Sequence, residues 1–180
     1  YTWVVALDDS SESYQLYTEN STNLQEIAYV TTSWKTMAPV FEPSDGYSCS
    51  RLLLENDKSP AVASIDTENG WYLPTASQLN KIFAEKSYLE KPMVDNGGNW
   101  LSDVDYWTST LVTGGKAMKM SNPMGSFSSD VITNSYAVRA VRDVAFYNVK
   151  LEVNDENAGT TQGAGIYVIN SRKPVISAIP

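Results

Sequence analysis

Near residue 100 the apolar residues of this chain change their spacing. Before it, Leu79, Ile82 and Phe83 recur at helical intervals. After it, short runs rich in aromatic and β-branched residues take over, with a period of two. Helices first and short strands after predict an α+β fold. The sharpest local signal is Thr75-x-x-Gln78, a capping-box spacing in which the Thr hydroxyl accepts a backbone N–H three residues on. It predicts a helix from Ala76 to Lys86. A second helix is expected from a Ser44 cap to Asn56, with Tyr47, Leu52 and Leu53 inward.

The rest is punctuated by turn residues. Residues 1–20 read as a hairpin, Thr2 to Leu7 and Tyr14 to Tyr17 around a polar turn. Leu24 to Tyr29 fits a helical turn or a strand, and Pro39 and Pro43 bound a loop. Pro92 and Asn96-Gly97-Gly98-Asn99 make 92–105 loop-rich. Tyr106 to Leu111 and Ala117 to Met120 read as strands separated by Thr113-Gly114-Gly115, and Asn122 to Ser129 as a turn. Tyr136 to Val141, Tyr147 to Val153 and Gly165 to Ile169 are further β-rich runs, with a polar turn from Asp155 to Gly163.

Composition removes several function classes. With 13 basic and 21 acidic residues the net charge is −8 and the pI near 4.5. That argues against nucleic acid and anionic membrane as partners, since both demand a basic face. The absence of histidine rules out Ser-His-Asp triads, Cys-His dyads and nearly every catalytic zinc site. Cys49 stands alone, so no internal disulfide forms, and a small buried hydrophobe is its expected role. No apolar run is long enough for a membrane span. No signal peptide is visible, and Tyr1 in place of an initiator Met suggests an excised or processed piece. A 42% hydrophobic fraction in 180 residues suffices for one substantial core.

Three patches carry a resemblance: Gly70-Trp71-Tyr72-Leu73-Pro74-Thr75 with Gln78-Leu79, then Tyr106-Trp107-Thr108-Ser109-Thr110, then Ser135-Tyr136-Ala137-Val138-Arg139-Ala140-Val141-Arg142. Their order and spacing resemble the Fibrobacter succinogenes major paralogous domain family and a close relative of unknown function. Both have the C-type-lectin-like fold, distantly like the formylglycine-generating enzymes. The likeness covers residues 44–143. It implies two short helices and a twisted, mostly antiparallel sheet, in a domain over 1–143 with flanking strands. Residues 144–180 would be a β tail that completes the sheet, pairing with Trp3-Val4-Val5, or starts a second module. Read as residues, Trp71, Leu73 and Trp107 are core candidates, Pro74 fixes the helix entry and Thr75 caps it. Arg139 and Arg142, three apart in a strand, would point to opposite faces and pair with carboxylates or loop carbonyls.

The resemblance places ligand binding in the late loops, here Asn96 to Asp105, Leu111 to Lys116 and Asn122 to Asn134. Their small polar groups with a few aromatics suit sugar or protein recognition, with solvated loops as the plain alternative. The expected ligand contacts are Trp100, Lys116, Asn122, Met124, Phe127, Asp130 and Asn134. No cofactor is expected. Calcium is the ion to test, because Asp95, Asp103, Asp105 and Asp130 offer the oxygens it takes. The lectin calcium motif is incomplete: Asn122-Pro123 and Glu42-Pro43 do not extend to it, and Trp-Asn-Asp is absent. One cysteine cannot reproduce the redox pair of the formylglycine-generating relatives, so no enzyme is expected. The resemblance implies an adhesin-like module on a bacterial surface, anchored to the outer membrane. The alternatives are a structural subunit of a surface or pilus assembly joined by strand addition, and a divergent enzyme of the formylglycine-generating type.

Overall fold

The computed structural model describes residues 2–19, 30–31, 46–55, 58–112, 114–144, 146–149, 160–162, 165–168 and 177–179. They divide into a larger unit, Val5–Arg142, and a smaller one, Tyr1–Val4 with Asp143–Pro180. The divisions in the chain fall within two strands, β1 (Thr2–Val5) and β9 (Val141–Val144).

The larger unit is α+β, as the change of period predicts. Its helices among the described residues are α1 (Gly46–Leu54), α2 (Pro60–Ala63), α3 (Ala76–Ala84) and α4 (Lys86–Asp95), where two were expected. Its main sheet has the order β3-β5-β6-β7, from β3 (Val30–Thr31), β5 (Asp105–Val112), β6 (Lys116–Ser121) and β7 (Ser126–Val131). All its pairings are antiparallel except β3 with β5. Two short antiparallel pairs accompany it: β2 (Tyr14–Gln15) with β8 (Ser135–Tyr136), and β4 (Trp71–Tyr72) with the start of β9. In the smaller unit β10 (Phe146–Val149) pairs with β12 (Gly165–Val168), and β11 (Thr160–Gln162) with β13 (Ser177–Ile179), both antiparallel.

Burial on both faces of the main sheet explains its composition. Tyr106, Met120 and Phe127 lie opposite one another and pack with Leu79, Ile82 and Met93. Trp107, Leu111 and Ala117, on the other face, pack with Leu16, Leu53, Val62 and Leu73. The capping box of α3 forms as read: Thr75 Oγ1 accepts from Gln78 N at 3.2 Å, and Gln78 Oε1 accepts from Thr75 N at 2.9 Å. Such a cap is worth about 1 kcal/mol. Gln78 Nε2 also donates to the Tyr72 hydroxyl at 2.9 Å, which makes a buried glutamine satisfiable. Cys49 is buried on α1 together with Leu53.

Four expectations are corrected. Residues 1–20 are not a hairpin, because β2 takes β8 as its partner. Tyr47 lies on the exposed side of α1, where its ring meets Tyr72 edge-on at 6.0 Å and Arg51 stacks on it. The number of helices is larger than expected: α4 runs through Pro92 to Asp95, into a segment 92–105 that is otherwise loop-rich as read. Proline there removes one N–H, but the carbonyl left over belongs to exposed Tyr88, which water can satisfy. Met93 anchors that turn in the core, and Gly97 at φ +83° ends it. Finally, Asn122 to Asn134 is not one loop: Asn122–Gly125 and Ile132–Thr133 turn, and Ser126–Val131 between them is β7. Gly125 is required in that turn, because φ is +63° and a Cβ would collide with the Phe83 ring. The Ser44 cap, Asn56, Glu42-Pro43, Thr113 and most of 21–43 and 150–176 lie outside the described residues.

Candidate functional site

The three sequence motifs meet, and several of their polar atoms are spent within the fold. Ser109 N–H donates to Pro74 O at 2.9 Å, and Ala76 N–H to Thr110 Oγ1 at 3.0 Å. Thr108 Oγ1 donates to Met118 O at 2.8 Å. Trp107 N–H donates to Ala137 O at 3.0 Å, just before the Val-Arg motif. Ser50 Oγ takes the N–H of Leu73 at 3.0 Å. Trp71 and Arg142 face each other across β4 and β9, with the guanidinium 5.1 Å from the ring centre. Trp107, Leu73, Pro74 and Thr75 are buried as expected, whereas Trp71 is only half-buried.

Arg139 is the most committed side chain of the set. It lies in an irregular stretch, not in a strand, and its side chain has 0% exposure. Its Nε donates to Asp9 Oδ1 at 2.6 Å. Nη1 donates to Ala6 O and Leu7 O at 2.8 Å and to Asn99 O at 3.0 Å, and Nη2 to Trp100 O at 3.3 Å. Asp9 Oδ2 in turn accepts from the Tyr106 hydroxyl and Ser102 Oγ, both at 2.6 Å. Burial, then the hydrogen bond to Asp9, pushes the Tyr106 phenol well above its ordinary value. Packing and loop-carbonyl pairing, the role expected for this arginine, is what the geometry gives.

The residues expected to bind ligand separate into two groups. Trp100 is buried against α3 and α4, with Lys86 Nζ 6.0 Å above its ring. The Asn122 amide is spent on Leu101 O at 3.0 Å and Ser102 O at 2.7 Å, tying the β6–β7 turn to the preceding loop. Phe127 turns inward onto the core. Trp100 and Asn122 do not present a surface, and Phe127 is partly buried. Met124 does, with 80% exposure at the tip of the turn, and Lys116 is exposed at the start of β6. Asp130 and Asn134 fall into a cluster.

That cluster is built by strand register. Asp105 lies opposite Ser121 and Ser121 opposite Ser126, while Lys119 lies opposite Ser128 and Trp107. Residues directly opposite share a face, so Asp105, Lys119, Ser121, Ser126, Ser128 and Asp130 line one side of the sheet's end. Lys119 Nζ pairs with Asp105 Oδ2 and lies 4.9 Å from the Tyr136 ring centre. The Tyr136 hydroxyl donates to Asp130 Oδ2, and Asp130 Oδ1 accepts from Val131 N at 2.7 Å. Tyr136 is fixed from behind by Trp107, edge-on at 4.7 Å.

The charges follow. Burial raises the Asp105 carboxyl, but the Lys119 and Ser121 hydrogen bonds carry it below the usual carboxylate range. The Tyr136 hydrogen bond lowers Asp130 as well, with Asn134 adding to it. Burial and Asp130 push the Tyr136 phenol up to about 12. At neutral pH the face therefore holds two carboxylates, one ammonium and one neutral phenol, beside the exposed Ser126 and Ser128. Of the calcium candidates, Asp105 and Asp130 are engaged here, Asp95 pairs with Lys91 on α4, and Asp103 accepts from Asn122. Among the described residues no group of three or more carboxylates or cysteines is arranged to hold a metal ion. Nor does any described helix have the length and apolarity to cross a membrane.

The sequence reading found Asp130 and Asn134 but missed Lys119, Tyr136 and the serine row as a unit. The alternation Lys119/Ser121 against Met118/Met120 was the available signal. Compared with protein-family models the chain matches none, and no curated protein matches it.

Proposed function

We propose that the larger unit is a non-catalytic recognition module of the C-type-lectin-like kind, carried on a bacterial surface protein and binding glycan or protein ligands in an adhesin-like role. The observation that carries this reading is the Asp105–Lys119–Asp130–Tyr136 face. Fixed acceptors and donors alternate there with small hydroxyls on a rigid strand surface, beside the protruding Met124. Such an array reads a hydroxyl-bearing or polar ligand with little ordering cost. The motif resemblance supports the fold assignment and the surface location. The titration states support a binding role over a chemical one: both carboxyls are lowered and the phenol raised, so none of the three is poised for acid–base work near neutrality.

A glycan array on the purified chain, run with calcium and with chelator, tests this. Saturable binding lost in Asp130→Asn and Lys119→Met, with the fold retained, is the expected result. Binding indifferent to both substitutions removes the sheet face from the proposal. A second reading, a structural subunit assembled by strand addition, draws on the two-strand pairing of β10 with β12, in which each strand has one outer edge among the described residues. Concentration-dependent assembly that stops when 144–180 is deleted would favour it.

A further inference from the structure

We infer that the larger unit carries a second binding groove, unrelated to the sheet face, that takes the basic side chain of a partner polypeptide. It is a cavity of about 250 Å³ between the segment 6–10, the end of α2 and the stretch 138–140. Asp8, Ser10, Ser64 and Asp66 supply its polar lining, and Trp71 and Ile65 its apolar wall. Among the described residues none that line it is basic.

The hydrogen-bond inventory selects the ligand. Ser10 Oγ gives its proton to Glu12 O at 2.7 Å and accepts from Val138 N at 3.0 Å, which leaves it one lone pair, and Ser64 Oγ gives its proton to Ala61 O at 2.8 Å. Asp9, beside them, is saturated by Arg139, Tyr106 and Ser102. Asp8 and Asp66 are both exposed, and among the described residues each accepts from an asparagine: Asp8 from Asn99 Nδ2 at 3.1 Å, Asp66 from the amide and main chain of Asn69 at 2.7 and 3.4 Å. Neither has a cationic partner among these bonds. Carboxylates and hydroxyls whose protons are already given away offer lone pairs, so the complementary ligand brings donors and positive charge. The carboxylates are not grouped for a metal ion. An ammonium or guanidinium on an aliphatic stem fits instead: the head lies between Asp8 and Asp66, and the stem on Trp71 and Ile65. Arg142, stacked on Trp71, holds the ring in place.

The test is a nuclear magnetic resonance titration of the full chain with the capped peptide acetyl-Gly-Lys-Gly-amide and with its Nε-acetylated form. The lysine peptide is expected to give saturable shifts in 6–10, 64–66 and the Trp71 indole, and the acetylated peptide none. The pair Asp8→Asn and Asp66→Asn removes both charges while leaving each position one oxygen that can accept from its asparagine, and should weaken binding about tenfold. Glu85→Gln with Glu90→Gln, at the start of α4 and outside the groove lining, serves as the charge control and should leave the affinity unchanged. Absence of saturable shifts in these segments overturns the inference. So do shifts that survive Nε-acetylation, and equal weakening by the control pair, which would mean diffuse attraction to an acidic protein. Lys119→Met, which disables the sheet face, should not affect this titration.

Discussion

Two cations in the larger unit are built from the same parts and put to different ends. Arg139 sits beside Asp9, whose other oxygen takes the Tyr106 hydroxyl. Lys119 sits beside Asp105, over a tyrosine that is itself hydrogen-bonded to Asp130. The first cation is fully enclosed and spends its remaining protons on the carbonyls of Ala6, Leu7, Asn99 and Trp100. The second keeps 14% of its side chain in solvent, and the partners in its cluster are other side chains. A planar guanidinium can fasten several main-chain segments at once, whereas an ammonium is a compact charge that organises neighbours on a surface. The difference separates a structural cross-link from a recognition surface.

The largest expected effect follows from breaking the first. Arg139→Met leaves the half-buried Asp9 and the carbonyls of two segments without their donor, and removing one partner of a buried pair costs about 3–5 kcal/mol. Thermal unfolding should show a shift of many degrees. Arg139→Lys should recover little of it, since three donors on a flexible stem cannot replace the fork. A full rescue by lysine would mean that charge alone matters there. Lys119→Met is the matched experiment on the sheet, and its expected cost is within about 1 kcal/mol because the pair is partly solvated. Its effect should appear in ligand binding instead. Equal destabilisation by the two changes would erase the distinction drawn between them.

How much of this the sequence discloses differs between the two regions. The capping box, the core placement of Leu73 and Trp107 and the pairing role of Arg139 are legible because each rests on local spacing or on the scarcity of ways to bury that side chain. Asp9 as its partner is not, because 130 residues separate them and an Asp-Asp-Ser turn reads as a solvated hairpin tip. β7 was hidden by its own composition: Ser-Phe-Ser-Ser-Asp-Val spells a turn, and only pairing with Met120 and Met118 of β6 makes it a strand. Trp100 and Asn122, legible as surface residues in polar loops, are drawn inward by the core and by the carbonyls of Leu101 and Ser102. α4 was obscured by Pro92, which the exposed side of a helix tolerates.

Acid separates the sheet cluster further. Asp105 and Asp130 have lowered pKa values in the folded chain, so each contributes stability that is present above its unfolded value and lost as pH falls through the folded one. Unfolding monitored between about pH 5 and 2 should therefore steepen, and Asp130→Asn should remove part of that dependence. An unchanged acid profile in Asp130→Asn would mean that the Tyr136 contact does not favour the carboxylate.

The smallest effect is the most discriminating, because it reads each tyrosine by its own aspartate. Tyr136 titrates at about 12, raised by burial first and by Asp130 second. A raised phenol favours the folded state while it keeps its proton. That contribution is complete below the ordinary tyrosine value of about 10 and is lost as pH climbs through the folded one. Asp130→Asn removes the negative neighbour and leaves the burial, so Tyr136 should move only part of the way down. Tyr106, whose partner is Asp9, should not move at all. Ultraviolet difference spectra against pH, with Tyr136→Phe identifying the transition among 11 tyrosines, resolve the two. A single downward-shifted transition is expected in Asp130→Asn. If none moves, Asp130 does not govern the phenol, and Tyr136 is held up by burial against Trp107 alone. The sheet face would then lose the coupling between its phenol and Asp130, and with it part of the arrangement that makes it the better recognition surface.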